Sequence, residues 1–371
     1  MDARYTIHDT SEIISPGLVV FRELVEENID RMIRIAGRAD RMRPHCKTHK
    51  IRQVTEIELR KGITKHKCAT LAEAEMLADS GVRDIFLAYN LVGPNIRRAI
   101  NLRKKFPDLR LAVTADHPVP IAALGAATHH AEQEIDVLLD IDTGLHRTGV
   151  DMDAAGERLY GLIAGTQGLR VAGLHVYDGH IHDHSLEDRR SRVRALWEQV
   201  VQFRDRLVAS GLPVPTIVAG GTGTFPVYAD MDDPTLEMSP GTSVFHDAGY
   251  TEAFPDLQFN MAAVLLTRVV SRPGSQLVTC DLGTKACASD PPEGHRLVFP
   301  DLPDAKQILQ NEEHLVLETP RANEFGPGDE LLAVPWHICP TTALHRAVFV
   351  VADGRVVDRW PVAARDRWLT V

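Results

Sequence analysis

From about residue 42 to residue 245, short runs rich in β-branched and aromatic residues alternate with longer amphipathic stretches. The runs MRPHCK (42–47), ITKHKCA (63–69), DIFLAY (84–89), LRLAVTA (109–115), IDVLLDID (135–142), LRVAGLHVY (169–177), TIVAGG (216–221) and LEMSPG (236–241) predict eight strands. Segments between them have helical spacing; LAEAEMLADSG, for example, ends on Gly81 as a helix C-terminus often does. Eight strands joined by crossovers predict a parallel (β/α)₈ barrel. A doubly wound open sheet shares the local pattern, and the count of eight favours the barrel.

After about residue 250 the pattern changes. FNMAAVLLTRVVS, QLVTCDLG, HLVLE, DELLAVPWHI and RAVFVVADGRVVDRW read as strands joined by turns such as RPGS and ADGR, with no comparable helix between them. The expected organisation is an N-terminal segment (1–20) pairing with the β-domain, a barrel (21–250) and a C-terminal all-β domain (251–371). GLVVFRE is a strand of either part. At 371 residues and 44% hydrophobic content the chain can bury a substantial core. A net charge of -10 argues against nucleic-acid binding, which needs a basic surface. The opening MDARYTIHDTSEIISPG has no apolar signal core, and no later run is long enough to span a bilayer, so a soluble cytoplasmic protein is expected. Five scattered cysteines, with no Cys-x-x-Cys pair, argue against a disulfide framework or a zinc ribbon.

In such a barrel chemistry collects at the C-terminal ends of the strands. Those positions hold Lys47 in RPHCKTHK, Arg147 in DTGLHRTGV, His175 and Tyr177 in GLHVYDGH, and the loops Gly220-Gly221-Thr222-Gly223 and Pro240-Gly241-Thr242. A partly desolvated lysine near other cations can form a Schiff base with a carbonyl; a solvated basic loop explains RPHCKTHK equally well. His45 and His49 are expected to face away from Lys47. Two glycine–threonine loops offer backbone N–H and hydroxyl donors to one phosphate, after strands seven and eight where barrels commonly bind one. Each loop alone is more often a tight turn. A Schiff-base lysine with a phosphate site suggests pyridoxal phosphate (PLP), which needs both. Arg147 then supplies a cation near the ring and His175 a face for stacking; singly, they read as a surface arginine and a core histidine. His337 and Cys339, two apart on an expected strand, share a face and can hold one divalent ion, with a buried cysteine beside an edge histidine as the bland alternative. In His180-Ile181-His182-Asp183-His184, His180 or His182 can act as a base or a ligand, or simply belong to an exposed loop.

RPHCKTHK resembles the cofactor-lysine motif of the D-threonine aldolase and D-serine dehydratase family, relatives of bacterial alanine racemase with fold-type III PLP architecture. The likeness continues in order through DTGLHRTGV, GLHVYDGH, GGTGT, PGTSVFHD, CDLGTKACASD and VPWHICPTTAL. The resemblance implies a PLP barrel followed by a β-domain, in a homodimer that completes the active site at its interface. It implies Lys47 as the Schiff-base residue, Arg147, His175 and Tyr177 around the cofactor, and Gly221, Thr222, Gly241 and Thr242 at its phosphate. It makes His337 and Cys339 the pair for a zinc, manganese or magnesium ion, and a D-amino acid with a β-hydroxyl the substrate. Aldolases of the family tend to carry aspartate at the second metal position and dehydratases cysteine, so Cys339 points to dehydration. The histidine-rich YDGHIHDH loop, with His180 or His182 taking the hydroxyl proton, points to retro-aldol cleavage. The leading expectation is cleavage to glycine and an aldehyde; the alternative is D-serine or D-3-hydroxyaspartate dehydration to a keto acid and ammonia. A racemase leaves the metal pair without a task, and non-catalytic PLP-binding relatives lack the β-domain.

Overall fold

The computed structural model describes residues 2–371. Along the chain β1 (Gly17–Phe21) precedes a parallel series, β2 (Lys65–Cys68), β3 (Asp84–Asn90), β4 (Arg110–Ala115), β5 (Ile135–Ile141), β6 (Leu169–Val176), β7 (Thr216–Ala219) and β8 (Leu236–Met238). There follow β9 (Ala263–Gly274), β10 (Leu277–Cys280), β11 (Leu297–Val298), β12 (Lys306–Gln310), β13 (Leu315–Glu318), β14 (Glu330–Pro335), β15 (Ala347–Ala352) and β16 (Arg355–Pro361). Two compact units result. One contains the chain up to Arg31, Thr48–Val54 and Thr242–Arg365; the other contains Met32–Lys47, Thr55–Gly241 and Asp366–Val371. Neither unit is a single contiguous stretch of the chain. Among the described residues no helix is long and apolar enough to cross a membrane.

In the barrel unit β2 to β8 pair in sequence order, all parallel. The expected strand at 42–47 is not a strand, and the reason lies in Pro44. On one side the N–H groups of Arg43 and His45 donate to the carbonyls of Met238 and Pro240, each at 2.8 Å. On the other side Lys67 N–H donates to the Pro44 carbonyl at 2.9 Å and Cys46 N–H to the Lys67 carbonyl at 3.0 Å. The segment therefore bridges β8 and β2 and closes the ring. Pro44 has no N–H to donate toward β2, so one rung is missing and only isolated bridges remain.

Ion pairs reinforce this closure. Buried Arg43 meets Asp84 at 2.7 Å and Glu237 at 2.5 Å. Lys65 adds a second contact to Glu237, at 2.6 Å, while Arg110 reaches both Asp84 and Asp136, and Arg170 also reaches Asp136. Burial works to raise the Asp84 carboxyl, but Arg43 outweighs it and holds the group below its ordinary value. Next along the strands comes an apolar layer of Phe86, Ala112, Leu138, Ala172 and Val218, one residue from each of β3 to β7.

A bulge in β6 sets what stands beyond that layer. Val137 pairs with Val171 but Leu138 pairs with Gly173, so β6 carries one extra residue. Gly173 has φ +131°, and a Cβ there would lie 1.7 Å from the Thr216 carbonyl oxygen. Only glycine fits. Because alternate residues of a strand face opposite sides, the extra residue turns His175, rather than Leu174, to the side that Arg170 and Ala172 share.

The other unit is built on a sheet ordered β12-β13-β10-β9-β1-β15-β16, with β14 beside β9 and β11 beside β14. β1 runs antiparallel to β9 and parallel to β15, and all five of its residues are buried. Burial on both faces explains the unbroken apolar run GLVVF. The ADGR turn between β15 and β16 places Asp353 at φ 48° and Gly354 at φ 71°, as a two-residue hairpin loop requires.

Replacing Arg43 by alanine leaves Glu237 and Asp84 short of a buried counter-charge. Arg43→Ala is expected to lower unfolding free energy by about 3–5 kcal/mol in urea titrations. A loss below about 1 kcal/mol, the scale of a surface pair, would show that closure does not depend on these contacts.

Candidate active site

A cavity of about 580 Å³ opens at the C-terminal ends of the barrel strands, lined by Lys47, Lys67, Asp140, Arg147, His175 and Tyr177 among others. Lys47 follows the closing segment, in a turn rather than on a strand, and its N–H donates to His45 Nδ1 at 3.3 Å. His45 lines the same cavity, contrary to the expectation that it faces away. A spacing of two keeps side chains on one face of an extended chain, which explains the correction. His49 is buried in the other unit, its ring Nδ1 accepting from Ile51 N–H.

The cavity wall contains a buried hydrogen-bonded chain. Asp140 Oδ1 lies 2.7 Å from His175 Nδ1, and His175 Nε2 lies 2.8 Å from Lys67 Nζ. The arrangement assigns the hydrogen of a neutral imidazole to Nδ1, where the carboxylate accepts it, leaving Nε2 to accept from Lys67. Burial, followed by the charge of Lys67, pushes His175 down to about 4, so the ring is neutral at pH 7. Burial and then Lys47 push Lys67 down to about 7. Burial works to raise Asp140, but its contacts with His175, and then Thr148 and Lys67, together hold it below its ordinary value. The Arg147 guanidinium stacks 4.8 Å from the centre of the Tyr177 ring, and His175 meets Phe86 edge-on at 5.2 Å.

Gly241 N–H donates to Thr222 Oγ1 at 3.2 Å and so ties together the two glycine–threonine loops. The buried Ser239 hydroxyl has no partner among the described residues. A Cβ on Gly220 would meet the Tyr228 ring at 2.9 Å, and one on Gly221 the Tyr177 ring at 3.3 Å. A hydroxyl-rich pair of loops with an unused buried donor fits a phosphate. Thr242 opens the other unit, where its Oγ1 faces Cys339 Sγ at 3.5 Å.

His180 and His182 do not line the cavity. His180 is half-buried with its ring against Gly144, and His182 is exposed. Their neighbour Asp178 is buried, which raises it to about 6, and it accepts from Thr224 Oγ1 at 2.9 Å.

In the other unit His337 and Cys339 do come together, but not on a strand. β14 ends at Pro335, His337 caps the helix Ile338–Leu344 and Cys339 lies in its first turn. Pro340 reads like a strand terminator, yet in the first helical turn its missing N–H has no partner to lose. His337 hydrogen-bonds the Cys339 side chain, and its Nδ1 lies 2.5 Å from Asp290 Oδ2; these contacts outweigh burial and raise the imidazole to about 9. Thr48 Oγ1 lies 3.1 Å from Cys339 Sγ. Imidazole plus thiol suits zinc, and a carboxylate on Nδ1 leaves Nε2 for the ion, a usual supporting arrangement. No group of three potential metal ligands occurs among the described residues.

Sequence reasoning missed Lys67, Asp140 and Asp178. Asp140 is a charged residue in the largely apolar run IDVLLDI, which is a visible signal, whereas Lys67 sits in the basic strand KHKC and does not stand out from its neighbours. Which side they face depends on register.

Residues 22–248 match the family model "Alanine racemase, N-terminal domain", and residues 262–351 match the model of a serine dehydratase domain. The chain is 30% identical over 363 residues to D-threonine aldolase of Arthrobacter sp., covering 96% of this chain and 93% of that protein. It is 27% identical to D-threo-3-hydroxyaspartate dehydratase of Delftia sp. (strain HT23), covering 93% and 96%. The crystal structure of D-threonine aldolase from Filomicrobium marinum superposes with a TM-score of 0.87 at 28% identity, covering 95% of each chain.

His246, in the PGTSVFHD stretch, is buried against Tyr250 and Phe259, and neither ring nitrogen has a partner among the described residues. Burial pushes it from 6.5 to about 4. The unfolded chain therefore binds the proton first as pH falls, and the stabilisation present above pH 6.5 is lost toward pH 4. This one group accounts for about 3 kcal/mol of that loss. The stability of the wild type relative to His246→Phe, read from urea titrations, should fall as the pH drops from 6.5 to 4; parallel curves would contradict the assignment.

Proposed function

Because the chain belongs to the alanine racemase-like family of fold-type III PLP lyases that includes D-threonine aldolase and D-3-hydroxyaspartate dehydratase, we propose that it cleaves D-configured β-hydroxy amino acids to glycine and an aldehyde. The observation that carries this reading is the cavity at the barrel strand ends, with Lys47 in its wall, in a chain that matches a D-threonine aldolase over nearly its whole length. In this reading Lys47 bears PLP, Arg147, His175 and Tyr177 surround the ring, and Gly221, Thr222, Gly241 and Thr242 serve the phosphate. His337 and Cys339 hold a divalent ion, for which zinc suits the donors best. PLP when bound supplies an electron sink for the bond that breaks at Cα, and the ion supplies a Lewis acid for the hydroxyl oxygen.

The remaining work belongs to the chain's own residues. Asp140 fixes the His175 tautomer, so that the imidazole stays neutral and keeps its orientation. Arg147, stacked on Tyr177, brings a guanidinium to the cavity wall. Asp290 holds the His337 ring by its Nδ1. A soluble cytoplasmic homodimer that completes the site at its interface belongs to the same reading. The thiol at Cys339 favours a second reading, dehydration to a keto acid and ammonia.

Borohydride reduction of the cofactor-loaded protein, followed by peptide mass spectrometry, should place PLP on Lys47, and Lys47→Ala should lose the visible absorbance of the lysine-bound cofactor. Modification at another lysine would overturn the assignment. Incubation with D-threonine, D-serine and D-3-hydroxyaspartate decides the reaction: glycine with an aldehyde supports cleavage, and a keto acid with ammonia supports dehydration. Exhaustive chelation, or His337→Ala, should abolish either; full activity after chelation would remove the ion from the mechanism.

A further inference from the structure

We propose that Lys67, backed by His175 and Asp140, is a second proton-transfer residue of the cavity, the one that serves the β-oxygen of the substrate. This rests on the reading of Lys47 as the PLP-bearing lysine and extends it. Chemistry at a β-hydroxy amino acid moves protons at two places, the α-carbon and the β-oxygen. Lys47 accounts for one amine in the cavity, and Lys67 is a second. His180 and His182, the histidines first considered for the oxygen, do not line the cavity.

The geometry suits the role. Lys65 and Lys67 leave β2 on one face. Lys65 is tied to Glu237, whereas Lys67 Nζ hydrogen-bonds His175 Nε2. Around the rest of its amine stand the rings of Phe86, at 5.9 Å, and Tyr177, at 5.5 Å, and the cavity itself. The charged neighbours oppose one another: Lys47 and Arg147 disfavour the ammonium, Asp140 and Asp178 favour it. Burial adds to the first group and the aromatic faces to the second. A group that must both take and give a proton needs its two forms close in free energy, and Lys67 titrates near the operating pH.

In the cleavage direction the Lys67 Nζ lone pair takes the hydroxyl proton. The O–H electron pair becomes the second bond of the aldehyde carbonyl and the Cα–Cβ bond breaks with its pair left at Cα, for which PLP, when bound, would supply the sink. The charge gained on Lys67 can be relieved when its hydrogen facing His175 moves to Nε2 and the Nδ1 hydrogen moves to Asp140. In dehydration the same ammonium gives its proton to the departing oxygen, which leaves as water.

The test uses cofactor- and metal-loaded Lys67→Gln enzyme. PLP should remain on Lys47 by reduction and mass spectrometry, while kcat falls about 10²-fold or more with KM little changed. The acidic limb of the kcat–pH profile should disappear, and added methylamine should restore part of the rate. Trace acetylation of the wild-type holoenzyme across pH, read by peptide mass spectrometry, should show Lys67 reacting at lower pH than the surface lysines. A kcat within about threefold of wild type, a loss that methylamine does not repair with the acidic limb still present, or ordinary acetylation behaviour would each overturn the proposal. PLP found away from Lys47 in the wild type would instead overturn the reading on which it rests.

Discussion

The barrel unit depends on how its ring is closed. The segment before Lys47 must serve as the eighth stave, yet Pro44 denies it a full ladder. A buried guanidinium compensates: Arg43 joins Glu237 on β8 to Asp84 on β3, and the chain of alternating charges continues through Arg110, Asp136 and Arg170. Ions out of water are stable only when each has a partner. The network therefore works as a registration device as much as a source of stability. Lys47 lies four residues beyond Arg43, and a slip of the stave would carry it away from the cavity.

The same low-dielectric interior acts in opposite ways at the two ends of the barrel. Near the N-terminal ends opposite charges are matched in contact, so Asp84 is held below its ordinary value and Arg43 and Arg110 above theirs. Near the C-terminal ends Lys67 is buried among other cations, with a neutral imidazole rather than a carboxylate as its hydrogen-bond partner. Two lysines one pleat apart on β2, Lys65 and Lys67, thereby acquire different chemistry from their neighbours alone.

Much of this was legible in the amino-acid pattern. β3 to β6 stood out because each is a short run dominated by apolar, β-branched or aromatic residues between helical stretches, and the parallel grammar indicated the barrel. Where the pattern failed, a local rule was overridden. Pro44 removed the rungs that would make 42–47 a strand. The expected strand through His337 and Cys339 ends at Pro335, so the two residues meet at the start of the helix Ile338–Leu344 and not by strand alternation. β11 and β12 escaped notice because one is two residues long and the other, KQILQ, is largely polar and exposed. Lys67 was visible as a residue and invisible as a site, since its direction follows from a register that no single strand reveals.

The bulge at Gly173 has a wider meaning for how this chain can change. It acts as a frame shift written into a strand: on one side of it Arg170 and Ala172 follow the phase of the ion network and the apolar layer, and on the other side His175 follows the phase of the cavity. Deleting one residue there would keep every side chain of the strand and still turn the imidazole out of the barrel. Chain length at this one point, as much as residue identity, holds the reactive end in place.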